Sequence, residues 1–97
     1  MHIEIHPDAA DELESAKLWY ENQSSGLGDE FLDEIDRAIA KIEQWPEAWT
    51  PYWQDVRRFL VHRFPYVIYY RHMSGAIQII AVAHQRRKPG YWKNRSF

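Results

Sequence analysis

Apolar residues recur at helical intervals through the first half of the chain and at alternating intervals through much of the second. Ala9, Leu13, Ala16 and Tyr20 are separated by four, three and four positions, which forms one stripe on an α-helix. The spacing predicts a helix over residues 7–22, with Pro7 and Asp8 suited to its first turn and with Asp11, Glu12, Glu14 and Glu21 mostly facing water. The segment 22–26 reads as a turn. Leu27, Phe31, Ile35, Ala38, Ile42 and Trp45 then recur four, four, three, four and three positions apart, the strongest helical pattern in the chain. Asp29, Glu30, Asp33, Glu34 and Asp36 favour the N-terminal end of this second helix through its dipole, and Pro46 stops it. Two helices joined by so short a turn form an antiparallel hairpin.

Alternation takes over elsewhere. Ile3 and Ile5 between polar neighbours predict a short strand over residues 2–6. Residues 45–52 contain two prolines and read as a loop, with Trp49, Tyr52 and Trp53 closing the edge of the core. Strands are predicted over 56–62, 66–71 and 76–83, with Phe64-Pro65 and Ser74-Gly75 at the breaks. Together they make a three-stranded antiparallel meander. The expected fold is α+β, a β-α-α-β-β-β chain with the helical hairpin on one face of an antiparallel sheet and the other face left for function. Ile77, Ile79, Ile80 and Val82 put apolar groups on both faces of the last strand, which marks it as interior to the sheet.

With 97 residues, 45% hydrophobic and 15% aromatic, the chain is one domain over 1–97 with enough apolar side chain for a core. No cysteine is present, so packing and not disulfides must hold it. The first residues have neither a basic nor an apolar stretch of the kind a secretory leader uses, and no apolar run reaches membrane-spanning length. The expected location is the cytoplasm, with no membrane partner.

Charge changes the picture more than composition does. Residues 1–54 hold 13 Asp/Glu against 3 Lys/Arg, a balance of −10, whereas residues 55–97 hold 9 Lys/Arg against Asp55 alone, a balance of +8. A surface made from the second half would attract a polyanion or an acidic protein segment. Its Arg58, Arg63, Arg86, Arg87, Tyr91 and Trp92 supply the guanidinium and aromatic groups that grip phosphates and stack on bases. The five histidines are scattered, and no Gly-x-Ser-x-Gly elbow or phosphate loop occurs. The sequence therefore calls for no metal and no cofactor. Metal-free acid–base chemistry on RNA remains open, with Tyr91 or His84 moving protons and Arg58, Arg63 and Arg87 holding phosphate.

The segments Ala16-Lys17-Leu18-Trp19-Tyr20-Glu21, Gly26-Leu27-Gly28-Asp29-Glu30-Phe31, Arg63-Phe64-Pro65-Tyr66-Val67-Ile68-Tyr69-Tyr70, Ala81-Val82-Ala83-His84 and Arg87-Lys88-Pro89-Gly90-Tyr91-Trp92 together resemble the RelE/ParE family of toxins from bacterial type II toxin–antitoxin modules. The resemblance covers nearly the whole chain and implies the same β-α-α-β-β-β fold. It implies a growth inhibitor, of the plasmid-stabilisation type, neutralised by a cognate antitoxin whose disordered segment folds on the toxin.

RelE-like members cleave messenger RNA on the ribosome and ParE-like members inhibit DNA gyrase. Tyr91 matches the tail tyrosine of the nucleases, and Arg58 lies near their first basic strand position. Val67 and Gln85, however, stand where those enzymes carry further basic residues. The expectation is a ParE-like toxin acting on gyrase, with Arg58, Arg63, Arg86 and Trp92 as target-binding residues. The alternatives are a RelE-like endoribonuclease using Tyr91, His84 and Arg87, and a non-toxic nucleic-acid-binding module. Exposed aromatics are compatible with a homodimer or a larger toxin–antitoxin assembly.

Overall fold

The computed structural model describes residues 2–97. Strand β1 (His2–Ile5) leads into helices α1 (Pro7–Gln23) and α2 (Leu27–Gln44), followed by strands β2 (Thr50–Trp53), β3 (Val56–Leu60), β4 (Tyr66–Met73) and β5 (Ala76–His84). The strands form one sheet in the order β1-β5-β4-β3-β2. The helical hairpin covers one face, where Ala9, Ala16, Phe31, Ile35, Ala38 and Ile42 meet Ile68, Tyr70, Ile77, Ile79 and Val82 in the main core. The α+β layer arrangement matches the expected one.

Two features of the sheet differ from expectation. It is mixed, because β1 runs parallel to β5, pairing Ile3 with Ile77 and Ile5 with Ile79. Four alternating residues mark a strand but say nothing about its direction. The segment expected to be a loop contains β2, which pairs antiparallel with β3 as the outermost strand. Pro51 is tolerated there because an edge strand has one side whose N–H groups need no partner.

The double-sided apolar pattern of β5 has a local cause. Tyr69 pairs with Ala81 and the next residue, Tyr70, pairs with Ile79, so Ile80 is an extra residue in the ladder. A bulge of this kind shifts the alternation by one. Ile77, Ile79 and Val82 therefore all reach the helices, while Ile80, Ala81 and Ala83 belong to a second cluster on the opposite face.

That opposite face is only partly open. The tail after β5 folds back over it and drives Trp92 against Tyr69, Trp53 and Tyr52, at ring separations of 4.7, 5.8 and 6.1 Å. Trp49 instead packs on Phe59 in the main core, at 4.7 Å. Trp49, Tyr52 and Trp53 thus close two cores, one on each face.

The hairpin turn depends on Glu21, which does not simply face water. Gly26 sits in the left-handed region at φ 87° and gives α2 no side-chain cap. Glu21 supplies it from the end of α1, accepting hydrogen bonds from the N–H groups of Gly26 at 2.9 Å and Gly28 at 3.0 Å. These bonds satisfy two donors that a helix start leaves orphaned, and they hold the Glu21 carboxyl below the usual carboxylate range. They also bring the helices so close that a Cβ on Gly28 would lie 2.8 Å from the Lys17 carbonyl oxygen. Backbone cannot move aside as a side chain can. Gly28→Ala is expected to cost about 1–3 kcal/mol in chemical denaturation, whereas Ser25→Ala, in the exposed turn, should change stability by less than about 0.5 kcal/mol.

Candidate functional site

Strand β5 is nine residues long and β1 only four, so the far end of β5 has no strand on its β1 side after His6 donates to the Ile79 carbonyl. An unpaired strand edge at a half-buried position must find other partners. Two side chains serve in place of the missing strand. Glu12 of α1 accepts from the Val82 N–H at 3.0 Å, and Arg95 of the tail donates to the Ile80 carbonyl at 3.0 Å. Arg95 and Glu12 also pair with each other through two hydrogen bonds, at 3.0 and 2.9 Å.

Glu12 gathers further donors. The Tyr91 hydroxyl donates to it at 2.6 Å and Arg87 at 3.2 Å, with the Arg87 guanidinium stacked 3.6 Å from the centre of the Tyr91 ring. The Glu12 side chain is only 12% exposed. Burial alone would push its carboxyl up, but the bonds from Arg95, Tyr91 and the Val82 N–H outweigh this and hold it below the usual range. Burial, followed by the hydrogen bond to Glu12 and the charge of its carboxylate, pushes the Tyr91 hydroxyl far up. A phenol held in this way stays protonated near neutral pH.

The clasp fixes one wall of an open-face groove of about 310 Å³, lined by Tyr52, Arg58, Leu60, Val67, Tyr69, Gln85, Arg87 and Pro89. Arg58 stands over the Tyr52 ring at 5.2 Å. Arg87 and Gln85 face it from the tail. Val67 and Gln85, the positions where a nuclease of the resembled family has basic residues, both lie in this groove.

The residues singled out from sequence have separated. Arg58 and Arg87 line the groove, and Arg86 is exposed beside it, its backbone N–H donating to His84 Nδ1 at 3.1 Å. Arg63 is elsewhere, in a left-handed turn at φ 76°, where it pairs with Glu30 of α2. His84 packs edge-on against Tyr66 at 5.4 Å on the helix side of the sheet. Trp92, expected to contact a target, is 1% exposed and cannot do so from the second core, where its burial stabilises the tail. Tyr91 and Arg87 meet at Glu12, and His84 does not join them there.

Glu12 and Arg95 were not among the sequence candidates. A signal for Glu12 was available, since it follows Ala9 by three positions and precedes Ala16 by four, which places it on the border of the buried stripe. Arg95 had no comparable mark. Among the described residues, no three His, Asp or Glu side chains converge as metal ligands, and no helix is long and apolar enough to cross a membrane.

Because the Glu12 pKa is lowered on folding, its stabilisation is fully present above the unfolded value of 4.5 and is lost as pH falls through the folded value. Glu12→Gln should therefore cost about 2–3 kcal/mol at pH 7. The gap from the parent protein should narrow steadily in denaturation curves below about pH 4.5. A gap independent of pH would mean that the carboxylate charge is not what holds the tail.

Comparison with known proteins bears on the whole of this architecture. The chain is 27% identical over 88 residues to Toxin ParE2 of Mycobacterium tuberculosis, in strains CDC 1551 / Oshkosh and ATCC 25618 / H37Rv, covering 90% of this chain and 84% of the relative. Its fold is similar to that of a chain from the chromosomal ParDE TA system of P. aeruginosa, with a TM-score of 0.64 at 17% identity over 87% of this chain and 95% of that one. Residues 3–89 match the family model described as the ParE toxin of the type II toxin–antitoxin system, parDE. With nearly the full domain matched, from β1 through the groove wall at Pro89, the chain belongs to the ParE toxin family and is the toxin component of a type II toxin–antitoxin system.

Proposed function

We propose that this toxin arrests growth in the bacterial cytoplasm by binding DNA gyrase through the open-face groove, without breaking a bond itself. A cognate antitoxin would neutralise it by laying an acidic segment over the same basic surface. The observation that carries this reading is the composition of the groove. Arg58, Arg87 and Gln85 provide charged and polar groups at its sides, and Val67, Leu60, Tyr52 and Tyr69 add apolar and aromatic surface between them. Such a mixture suits a protein epitope, where aromatic and Arg side chains provide most of the anchoring. Arg58 and the exposed Arg86 are the proposed target contacts. The proposal gives Arg63 a different duty, since its pairing with Glu30 ties the β3–β4 turn to the helices.

A phosphodiester-cleaving mechanism needs a proton carrier that can exchange with the substrate. Tyr91 is poorly suited, because its proton is held against Glu12. The ribonuclease reading keeps one favourable observation: Arg58 and Arg87, groups able to hold a phosphate, line the same groove as Tyr52 and Tyr69. His84 would then have to act from the other side of β5.

Purified toxin is expected to inhibit gyrase supercoiling at concentrations similar to those that stop growth, and RNA ends mapped after induction should be unchanged. Arg58→Glu should weaken gyrase inhibition by at least about tenfold, the scale of a hot-spot charge reversal. Unaffected supercoiling with new RNA ends would replace this reading with the ribonuclease one.

A further inference from the structure

On the opposite side of the sheet, α1 exposes a surface that the fold does not use. Trp19 is 58% exposed and Leu18 is 52% exposed, although their neighbour Tyr20 is packed among Phe31, Phe64 and Tyr66. Trp19 meets the Tyr20 ring edge-on, at 5.1 Å. Beside it lies a hollow of about 370 Å³ with Ala16 and Val82 at its apolar base, Tyr66 and His84 along it, and Asp11, Glu12, Ser15 and Arg87 around it. The hollow is large enough to receive a bulky apolar side chain.

The acids that remain exposed on this surface lack an ion-pair partner among the described residues, with Lys17 the nearest cation one helical turn from Glu14. Glu12 is paired with Arg87 and Arg95, and Asp8 lies 3.7 Å from Arg95. Asp11 and Glu14 are exposed, and neither forms an ion pair among the described residues. Residues three and four apart share a helix face, so Asp11, Glu14, Ser15, Leu18 and Trp19 form one outward strip, acidic at its first end and apolar at its second. Phosphates and acidic segments are repelled from it. A basic segment is attracted, and a large apolar side chain finds a place beside an indole that is already largely desolvated on its Tyr20 side.

We propose that this strip is a second docking surface, for a polypeptide segment of a partner protein that inserts one large apolar side chain beside Trp19 and sets Lys or Arg against Asp11 and Glu14. The toxin then has two interaction faces of opposite sign, separated by the sheet: a basic groove and an acidic, Trp-centred strip. The second does not depend on the identity of the target at the first. Arg87 lines both hollows and is tied to Glu12, so the two faces share a wall.

The test uses the full chain and a fluorescein-labelled helical peptide of Leu and Lys in amphipathic spacing, compared with the same peptide carrying Glu for Lys. Fluorescence anisotropy should show the Lys peptide binding in a salt-sensitive way and the Glu peptide binding at least about tenfold more weakly. Trp19→Ala and the double variant Asp11→Asn/Glu14→Gln should each weaken the Lys peptide by about tenfold or more. Asp33→Asn/Asp36→Asn, which removes two exposed acids from α2, should leave it unchanged. Circular dichroism should be the same for all variants, since every altered side chain is exposed. The proposal is overturned by equal affinity for Trp19→Ala, by an equal loss in the α2 control, or by a homodimer in sedimentation that Trp19→Ala dissolves, which would make a second copy the occupant.

Discussion

A single half-buried carboxylate holds this molecule's working parts together. Glu12 substitutes for a strand that is not there: β5 extends past the end of β1, and the exposed edge is satisfied by Glu12 at the Val82 N–H and by Arg95 at the Ile80 carbonyl. Through Arg95, Tyr91 and Arg87 the same carboxylate fixes the tail. The tail in turn seals the second core with Trp92 and forms one wall of the groove with Gln85, Arg87 and Pro89. An ion pair in such a place is stabilising chiefly because its removal would leave buried donors and a charge unmatched. The shape of the groove is thus a consequence of how the sheet edge is closed.

The opposed charges of the two halves acquire a physical meaning from this arrangement. Part of the asymmetry is internal. Arg63 pairs with Glu30, and Arg87 and Arg95 pair with Glu12, so residues from the basic half bind the acidic helices to the sheet. Other charges are turned outward with their sign preserved. Arg58 and Arg86 face solvent on the groove side, and Asp11 and Glu14 do so along α1.

The helices were readable because their apolar spacing is long and regular, and α2 begins and ends where Leu27 and Pro46 indicate. Strand β2 was hidden by Pro51, a residue that argues against strand anywhere but an edge, and edge status is a property of the whole sheet. The parallel pairing of β1 was hidden for a similar reason. Ile80 is legible only in part: apolar residues on both faces of β5 mark an interior strand, but nothing in that pattern indicates the bulge. Arg58 and Arg87, singled out by residue type and by the family resemblance, line one groove. Trp92 was misplaced because a tail tryptophan looks the same in sequence whether it caps a core or meets a partner. Glu12 was passed over as surface charge, and Arg95 became significant only once the tail was seen to return to β5.

The central claim is that Tyr91 holds the tail and does not transfer protons. Growth arrest on induction of Tyr91→Phe, beside the parent toxin, tests it directly. The variant loses the hydroxyl but keeps the ring under Arg87, and Glu12 retains its bonds from Arg95 and the Val82 N–H. Toxicity equal to the parent's, in a protein still folded by circular dichroism, is the predicted result. Loss of toxicity in a variant with unchanged fold and stability would contradict the account and make Tyr91 a catalytic residue.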